Sequence, residues 1–216
     1  MKRSAYPVVL FDLDGTLTNP YIGISRSFIY ALERLGYPPP DEPFLRSVIG
    51  PPLRDSFIKL IGETHAKAAV RHYRERYLEI GLYENEVFAG IPELLGTLQH
   101  AGCRLFVATS KLIDSATIIL EHFGLAGYFE GVSGASPDGR IERKADVIAE
   151  VLPRLGADRA SAVMVGDTAY DVLGARSHGM PCIAVAYGFG ELHELHAATP
   201  LSIANDVPEL QRLLGA

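Results

Sequence analysis

Apolar runs bounded by polar or glycine-bearing stretches recur along the chain. Val8-Val9-Leu10-Phe11, Leu105-Phe106-Val107-Ala108, Ala162-Val163-Met164-Val165 and Cys182-Ile183-Ala184-Val185 are continuous, with no polar alternation. Runs of this kind suit strands buried on both faces of a parallel sheet. Gly131-Val132-Ser133 and Leu201-Ser202-Ile203 are weaker candidates of the same type. Between the runs the apolar spacing turns helical, predicting helices over Pro92 to His100, Asp114 to Phe123, Ala145 to Leu155, Asp171 to His178 and Pro208 to Leu214. Strands alternating with helices imply an α/β fold, a parallel sheet with right-handed crossovers.

One stretch breaks the alternation. From Thr18 to Tyr83 no convincing strand occurs. Ile24, Phe28, Ala31, Leu32 and Leu35 recur at helical spacing, and Gly36 follows as a stop. Pro38-Pro39-Pro40 is a rigid break. A short segment around Phe44, Leu45 and Val48 ends at Gly50-Pro51-Pro52, and helices follow over Leu53 to Ile61 and Thr64 to Ile80. A helical excursion of this length is no loop. Residues 18–83 therefore read as a small helical lobe inserted into a core of residues 1–17 and 84–216. A chain of 216 residues suits one full domain plus such a module.

Composition narrows the function. A net charge of −6 argues against a nucleic-acid footprint, which needs a basic patch. No apolar run is long enough to span a membrane. The basic start Met1-Lys2-Arg3 is followed by too short an apolar stretch for a signal peptide. Cys103 and Cys182 lie in apolar runs and read as buried free thiols rather than a disulfide framework. These features predict a cytoplasmic protein. His193-Glu194-Leu195-His196 is not the zinc-protease pattern, and no G-x-x-x-x-G-K-[ST] loop is present. Gly188-Phe189-Gly190 lacks the third glycine of a dinucleotide fingerprint.

Three of the buried runs end in polar residues: at Asp12, at Thr109-Ser110 and at Gly166-Asp167. Ligands in open α/β sheets bind outside the carboxyl ends of the strands, so three polar terminations on one edge suggest one site. Taken alone, each residue has a plainer reading. Asp12-Leu13-Asp14-Gly15 could be an Asp-Gly turn, Thr109 a turn hydroxyl, Asp167 a helix N-cap, and Lys144 a solvated surface lysine.

The segment Asp12-Leu13-Asp14-Gly15-Thr16-Leu17-Thr18 resembles the first motif of the haloacid dehalogenase-like (HAD) hydrolases, mostly magnesium-dependent phosphatases with a Rossmann-like core. Gly166-Asp167-Thr168-Ala169-Tyr170-Asp171 resembles their fourth motif, and residues 18–83 resemble their helical cap. The resemblance implies that Asp12 is the nucleophile and Asp14 the general acid and base. Thr109 and Ser110 would hold phosphate oxygens, and Lys144 would neutralise charge, although the usual proline after that lysine is replaced by Ala145. Mg²⁺ would be held by Asp12, Asp167 and the backbone carbonyl of Asp14. Asp171 would bind the metal indirectly or orient Lys144. Asp14 also argues against a dehalogenase, because halide leaves without a proton.

Substrate choice would then fall to the cap, with Gly50 and Arg54 in Ile49-Gly50-Pro51-Pro52-Leu53-Arg54 as candidate specificity residues. The chain resembles the phosphoglycolate phosphatase-like branch and leans toward its 5′-nucleotidases. It is thus expected to act on a small phosphorylated metabolite, with no nucleic-acid polymer or membrane as partner, as a monomer or homodimer. A phosphomutase or a catalytically quiet scaffold of the same fold are the alternatives.

Overall fold

The computed structural model describes residues 4–156 and 161–216, so Met1-Lys2-Arg3 lies outside the described residues. The chain divides into two units, Met1–Thr18 with Val87–Ala216, and Asn19–Glu86. The strands are β1 (Val8–Phe11), β2 (Thr18–Asn19), β3 (Glu86–Val87), β4 (Arg104–Leu112), β5 (Gly131–Ala135), β6 (Ala162–Gly166), β7 (Cys182–Val185) and β8 (Ser202–Ala204). Six of them form a sheet in the order β5-β4-β1-β6-β7-β8, with β1 bonded in parallel to β4 and β6. The two-residue strands β2 and β3 pair with each other where the chain passes between the units.

The unit Asn19–Glu86 is helical, with α1 (Tyr21–Arg34), α2 (Glu42–Ser47), α3 (Leu53–Ile61) and α4 (Glu63–Arg76), and a single π-helical turn over Tyr77–Gly81. The helical stretch expected to run to Ile80 thus changes pitch at Tyr77. Gly23 of α1 accounts for the close fit there: a Cβ on it would lie 2.0 Å from the Gly81 carbonyl oxygen. The core of this unit is aromatic. Phe28 stacks on Phe57 at 4.0 Å between ring centroids, and Phe57 meets Tyr73 edge-on at 6.4 Å. Phe28 is fully buried, so Phe28→Ala is expected to cost this unit about 3–5 kcal/mol. Hydrogen exchange resolved by residue checks this; protection should fall within α1, α3 and α4.

The other unit adds α5 (Ile91–His100), α6 (Ile113–His122), α7 (Lys144–Val151), α8 (Ala169–Ser177), α9 (Leu192–Ala198) and α10 (Val207–Leu214). Alternate sheet residues Val8, Leu10, Phe106, Ala108, Ala162 and Met164 pack with Val147, Ile148 and Val151 of α7 and Val172 and Ala175 of α8. Strands covered on both faces need no polar alternation, which is why the runs are unbroken. α7 stops earlier than its apolar spacing suggests and gives way to a 3₁₀ turn over Leu152–Arg154. Pro153 lies in that turn and has no N–H for another helical bond. Cys103 and Cys182 are buried and free. His193 and His196 are exposed on α9. Among the described residues no helix is long and apolar enough to cross a membrane.

β4 is longer than its apolar run. Ala108 pairs with Ser133 and Leu112 with Ala135, so four steps along β4 cover two along β5. Such a bulge re-aims the side chains it carries. Here they are Thr109, Ser110 and Lys111.

Candidate active site

β1 delivers Asp12 to the sheet's carboxyl edge. The Asp12 N–H donates to the Val165 carbonyl at 2.8 Å, which holds the departing chain against β6. Its Oδ1 accepts from the Leu13 N–H at 2.7 Å and lies 2.9 Å from Lys144 Nζ. Gly15 then turns the chain with φ 82°, and a Cβ there would lie 2.0 Å from Asp167 Oδ2. Conformation and space both call for glycine at this position.

Asp167, at the end of β6, sits in a cradle of backbone. The Phe189 N–H donates to its Oδ2 at 2.8 Å, and the Thr16 hydroxyl lies 3.5 Å from its Oδ1. A Cβ on Gly188 would lie 2.4 Å from this carboxylate, and one on Gly190 would lie 2.0 Å from the Asp167 carbonyl oxygen. Gly188-Phe189-Gly190 is therefore part of the site. The sequence signal was available in two glycines following β7, at another strand's carboxyl end.

The helix after β6 is capped by Thr168, not Asp167. Asp171, in the first turn of α8, turns back so that its Oδ2 accepts from the Thr168 N–H at 3.0 Å and the Thr168 hydroxyl at 2.8 Å. Its Oδ1 lies 2.7 Å from Lys144 Nζ. Lys144 opens α7, yet only 5% of it is exposed, so the surface-lysine reading is overturned. Its ammonium also donates to the Ala108 carbonyl at 3.1 Å. Gly174 leaves room for its stem, since a Cβ there would lie 2.8 Å from Lys144 Cγ. One lysine thus links the end of β1, the middle of β4 and the start of α8.

Asp12, Asp167 and Asp171 can each offer an oxygen, and these atoms lie within 4.8 Å of one another. Burial pushes the Asp167 pKa well up, and the neighbouring Asp171 and Asp12 carboxylates push it further. Burial likewise raises Asp171, against the opposing pull of Lys144. For Lys144, burial alone would lower the pKa, but Asp12 and Asp171 outweigh it and hold the ammonium charged. Three carboxylates around one ammonium leave an excess of negative charge in a buried, all-oxygen setting. That donor set fits a hard divalent cation such as Mg²⁺.

Asp14 is set slightly apart. Its Oδ2 is ion-paired with Lys111, and its buried Oδ1 accepts no hydrogen bond from the described residues. Burial raises its pKa, with Lys111 pulling the other way. Thr109 is buried, and its hydroxyl accepts from the Lys111 N–H at 3.2 Å; Ser110 beside it is half-buried. Asp12, Asp14, Thr109, Ser110, Lys144, Asp167 and Asp171 all belong to this unit. Gly50 and Arg54 belong to the other, where Arg54 is exposed and paired with Glu63. Lys111 is the polar residue that the apolar pattern did not single out.

A parallel sheet of an α/β fold thus ends, at its central strand, in paired aspartates flanked by a buried lysine and an acidic cluster that could hold a metal. The chain belongs to the haloacid dehalogenase-like hydrolases, whose family profile matches residues 9–185, and it is a phosphatase of that family. It is 45% identical over 211 residues to a 5′-nucleotidase of Pseudomonas aeruginosa, covering 97% of this chain and 96% of that one. It is also 40% identical over 211 residues to a tyrosine-protein kinase, PtkA, of Mycobacterium tuberculosis, covering 96% and 72%. Among solved structures, a predicted phosphatase from Clostridium acetobutylicum superposes with a TM-score of 0.91 at 41% identity, covering 96% and 97%.

Proposed function

We propose that this phosphatase hydrolyses a small phosphomonoester of the 5′-nucleotide or phosphoglycolate type through an aspartyl-phosphate on Asp12. The observation that carries the reading is the buried ammonium of Lys144, 2.9 Å from Asp12 and 2.7 Å from Asp171, with Asp167 alongside. The nucleotidase lean is supported by the end-to-end similarity to the Pseudomonas aeruginosa protein.

Phosphoryl transfer to an anionic nucleophile is chiefly a problem of positioning and charge neutralisation. Lys144 and the Leu13 N–H both engage Oδ1 of Asp12, which leaves Oδ2 to attack phosphorus. As that bond forms, the bond from phosphorus to the leaving oxygen breaks, and Asp14 gives that oxygen a proton. Asp14 then takes a proton from water, whose oxygen attacks phosphorus and frees Asp12 and inorganic phosphate. The Thr109 hydroxyl and the Ser110 amide hold phosphoryl oxygens, and Asp171 orients Lys144. Asp12, Asp167 and the Asp14 carbonyl would hold Mg²⁺, which when bound offsets the negative charge of the phosphate. The unit Asn19–Glu86 selects the leaving group, with Gly50 and Arg54 as candidate contacts. The protein acts in the cytoplasm as a monomer or homodimer.

A phosphate-release screen tests this, with and without Mg²⁺, over 5′-mononucleotides, 2-phosphoglycolate, sugar phosphates and phosphotyrosine. One class should stand out in kcat/KM and vanish with chelator. Conversion of a sugar phosphate to its isomer without phosphate release would instead indicate a mutase, and activity on nothing would sink the hydrolytic reading.

A further inference from the structure

The proposed reaction gives Lys111 no part, yet the fold goes to some length to place it. The bulge in β4 carries it out of the regular ladder, between the Ala108–Ser133 and Leu112–Ala135 pairs. The strand opposite accommodates the bulge with Gly134: a Cβ there would lie 2.7 Å from the Lys111 carbonyl oxygen and 2.9 Å from Ile113 Cα. No real Cβ sits that close to backbone. The Thr109 hydroxyl accepts from the Lys111 N–H and fixes the turn from within. The Lys111 side chain is 8% exposed and ends in an ion pair with Asp14 Oδ2, while Asp14 Oδ1 is buried with no hydrogen-bond partner among the described residues.

We infer that Lys111 is a positioning residue for Asp14, which is an inference resting on the acid–base role proposed above for that aspartate. A carboxyl group turns easily about its last torsion, whose energy profile is broad. Tying one oxygen to a buried ammonium removes that freedom and presents the other, Oδ1, in one orientation to the leaving oxygen. The polar partner of Oδ1 is then the substrate itself. Lys111 touches neither phosphorus nor the leaving group in this scheme; it acts through Asp14.

The test compares wild type with Lys111→Met on substrates that differ in how much they need a proton. A 5′-mononucleotide and 2-phosphoglycolate expel an alkoxide, whereas p-nitrophenyl phosphate expels a stable phenolate. Lys111→Met is expected to lower the single-turnover rate of leaving-group release from the alkyl phosphates by roughly 10- to 100-fold, with substrate binding little changed and release of p-nitrophenolate within about threefold, whereas the water step, for which Asp14 is the base, slows for both substrate types. Gly134→Ala keeps the lysine but displaces its carbonyl; it should show the same split to a lesser degree and serves where Lys111→Met does not fold. An equal loss in leaving-group release from both substrate types, a loss of substrate binding alone, or no loss overturns the inference. If wild type turns over neither type, the proposed function has failed. Crystal structures of both proteins then decide the positioning role. A single Asp14 rotamer in wild type that changes or splits in the variant supports it, and one rotamer common to both overturns it.

Discussion

Asp12→Asn is expected to reduce phosphate release by at least about four orders of magnitude, the scale on which enzymes lose a covalent nucleophile. The loss should fall on kcat for every substrate, because an amide oxygen does not displace an alkoxide from phosphorus. The fold should survive. The isosteric side chain still accepts from the Leu13 N–H, and Lys144 keeps its 2.7 Å contact with Asp171. Removing one of three clustered carboxylates also relieves repulsion, which in the metal-free protein raises the pKa of Asp167. The metal-free variant should therefore melt no lower than wild type and gain less from added Mg²⁺, since it has lost a ligand. Calorimetry with and without Mg²⁺ beside the kinetic assay checks all three points. A variant with substantial turnover would disprove the covalent route; a variant that gains as much from Mg²⁺ as wild type would remove Asp12 from the metal site.

The parts of this arrangement that burial dictates could be read from the sequence. Val8 to Phe11 are apolar without alternation because β1 is covered on both faces, and the first polar residue after such a run marks the strand's carboxyl end. The same logic finds Asp167, and it picks out Thr109 although β4 runs on past it to Leu112; helical spacing reveals Phe28 and Ala31 in α1. Contacts fixed by close backbone approach were not legible in this way. Gly188 and Gly190 are ordinary loop glycines until Asp167 is seen against them. Lys144 has the sequence surroundings of a surface residue; its burial comes from Gly174 and two carboxylates that are distant in the chain. Lys111 follows an apolar run like any turn residue, and only the slip in register against β5 reveals where it points. Apolar periodicity records which face is dry. It does not record where extra residues have been inserted in a strand.

Lys144→Met is expected to cost stability on the scale of a core truncation. Methionine keeps the stem that packs beside Gly174 but removes the ammonium bonded to Asp12 and Asp171. Breaking a buried pair by deleting one partner typically costs about 3–5 kcal/mol, because the remaining charges stay buried and uncompensated. For a protein of this size that corresponds to a melting temperature lower by roughly 10 °C near neutral pH. The pH dependence separates charge from packing. Asp167 and Asp171 have folded-state pKa values raised above their ordinary values. A raised acid contributes stability that is complete below its unfolded pKa and is lost as pH rises through the folded one. Metal-free wild type should therefore weaken as pH climbs from the ordinary carboxylate range toward neutrality. Without Lys144 the same carboxylates hold their protons to still higher pH, so the variant's deficit should be largest near about pH 8 and shrink toward about pH 5, where protonation substitutes for the missing ammonium. Thermal melts of both metal-free proteins across that range measure it. A deficit of equal size at both ends would mean that Lys144 matters through its packed stem alone, and that the negative charge of the cluster is balanced by something other than its ammonium.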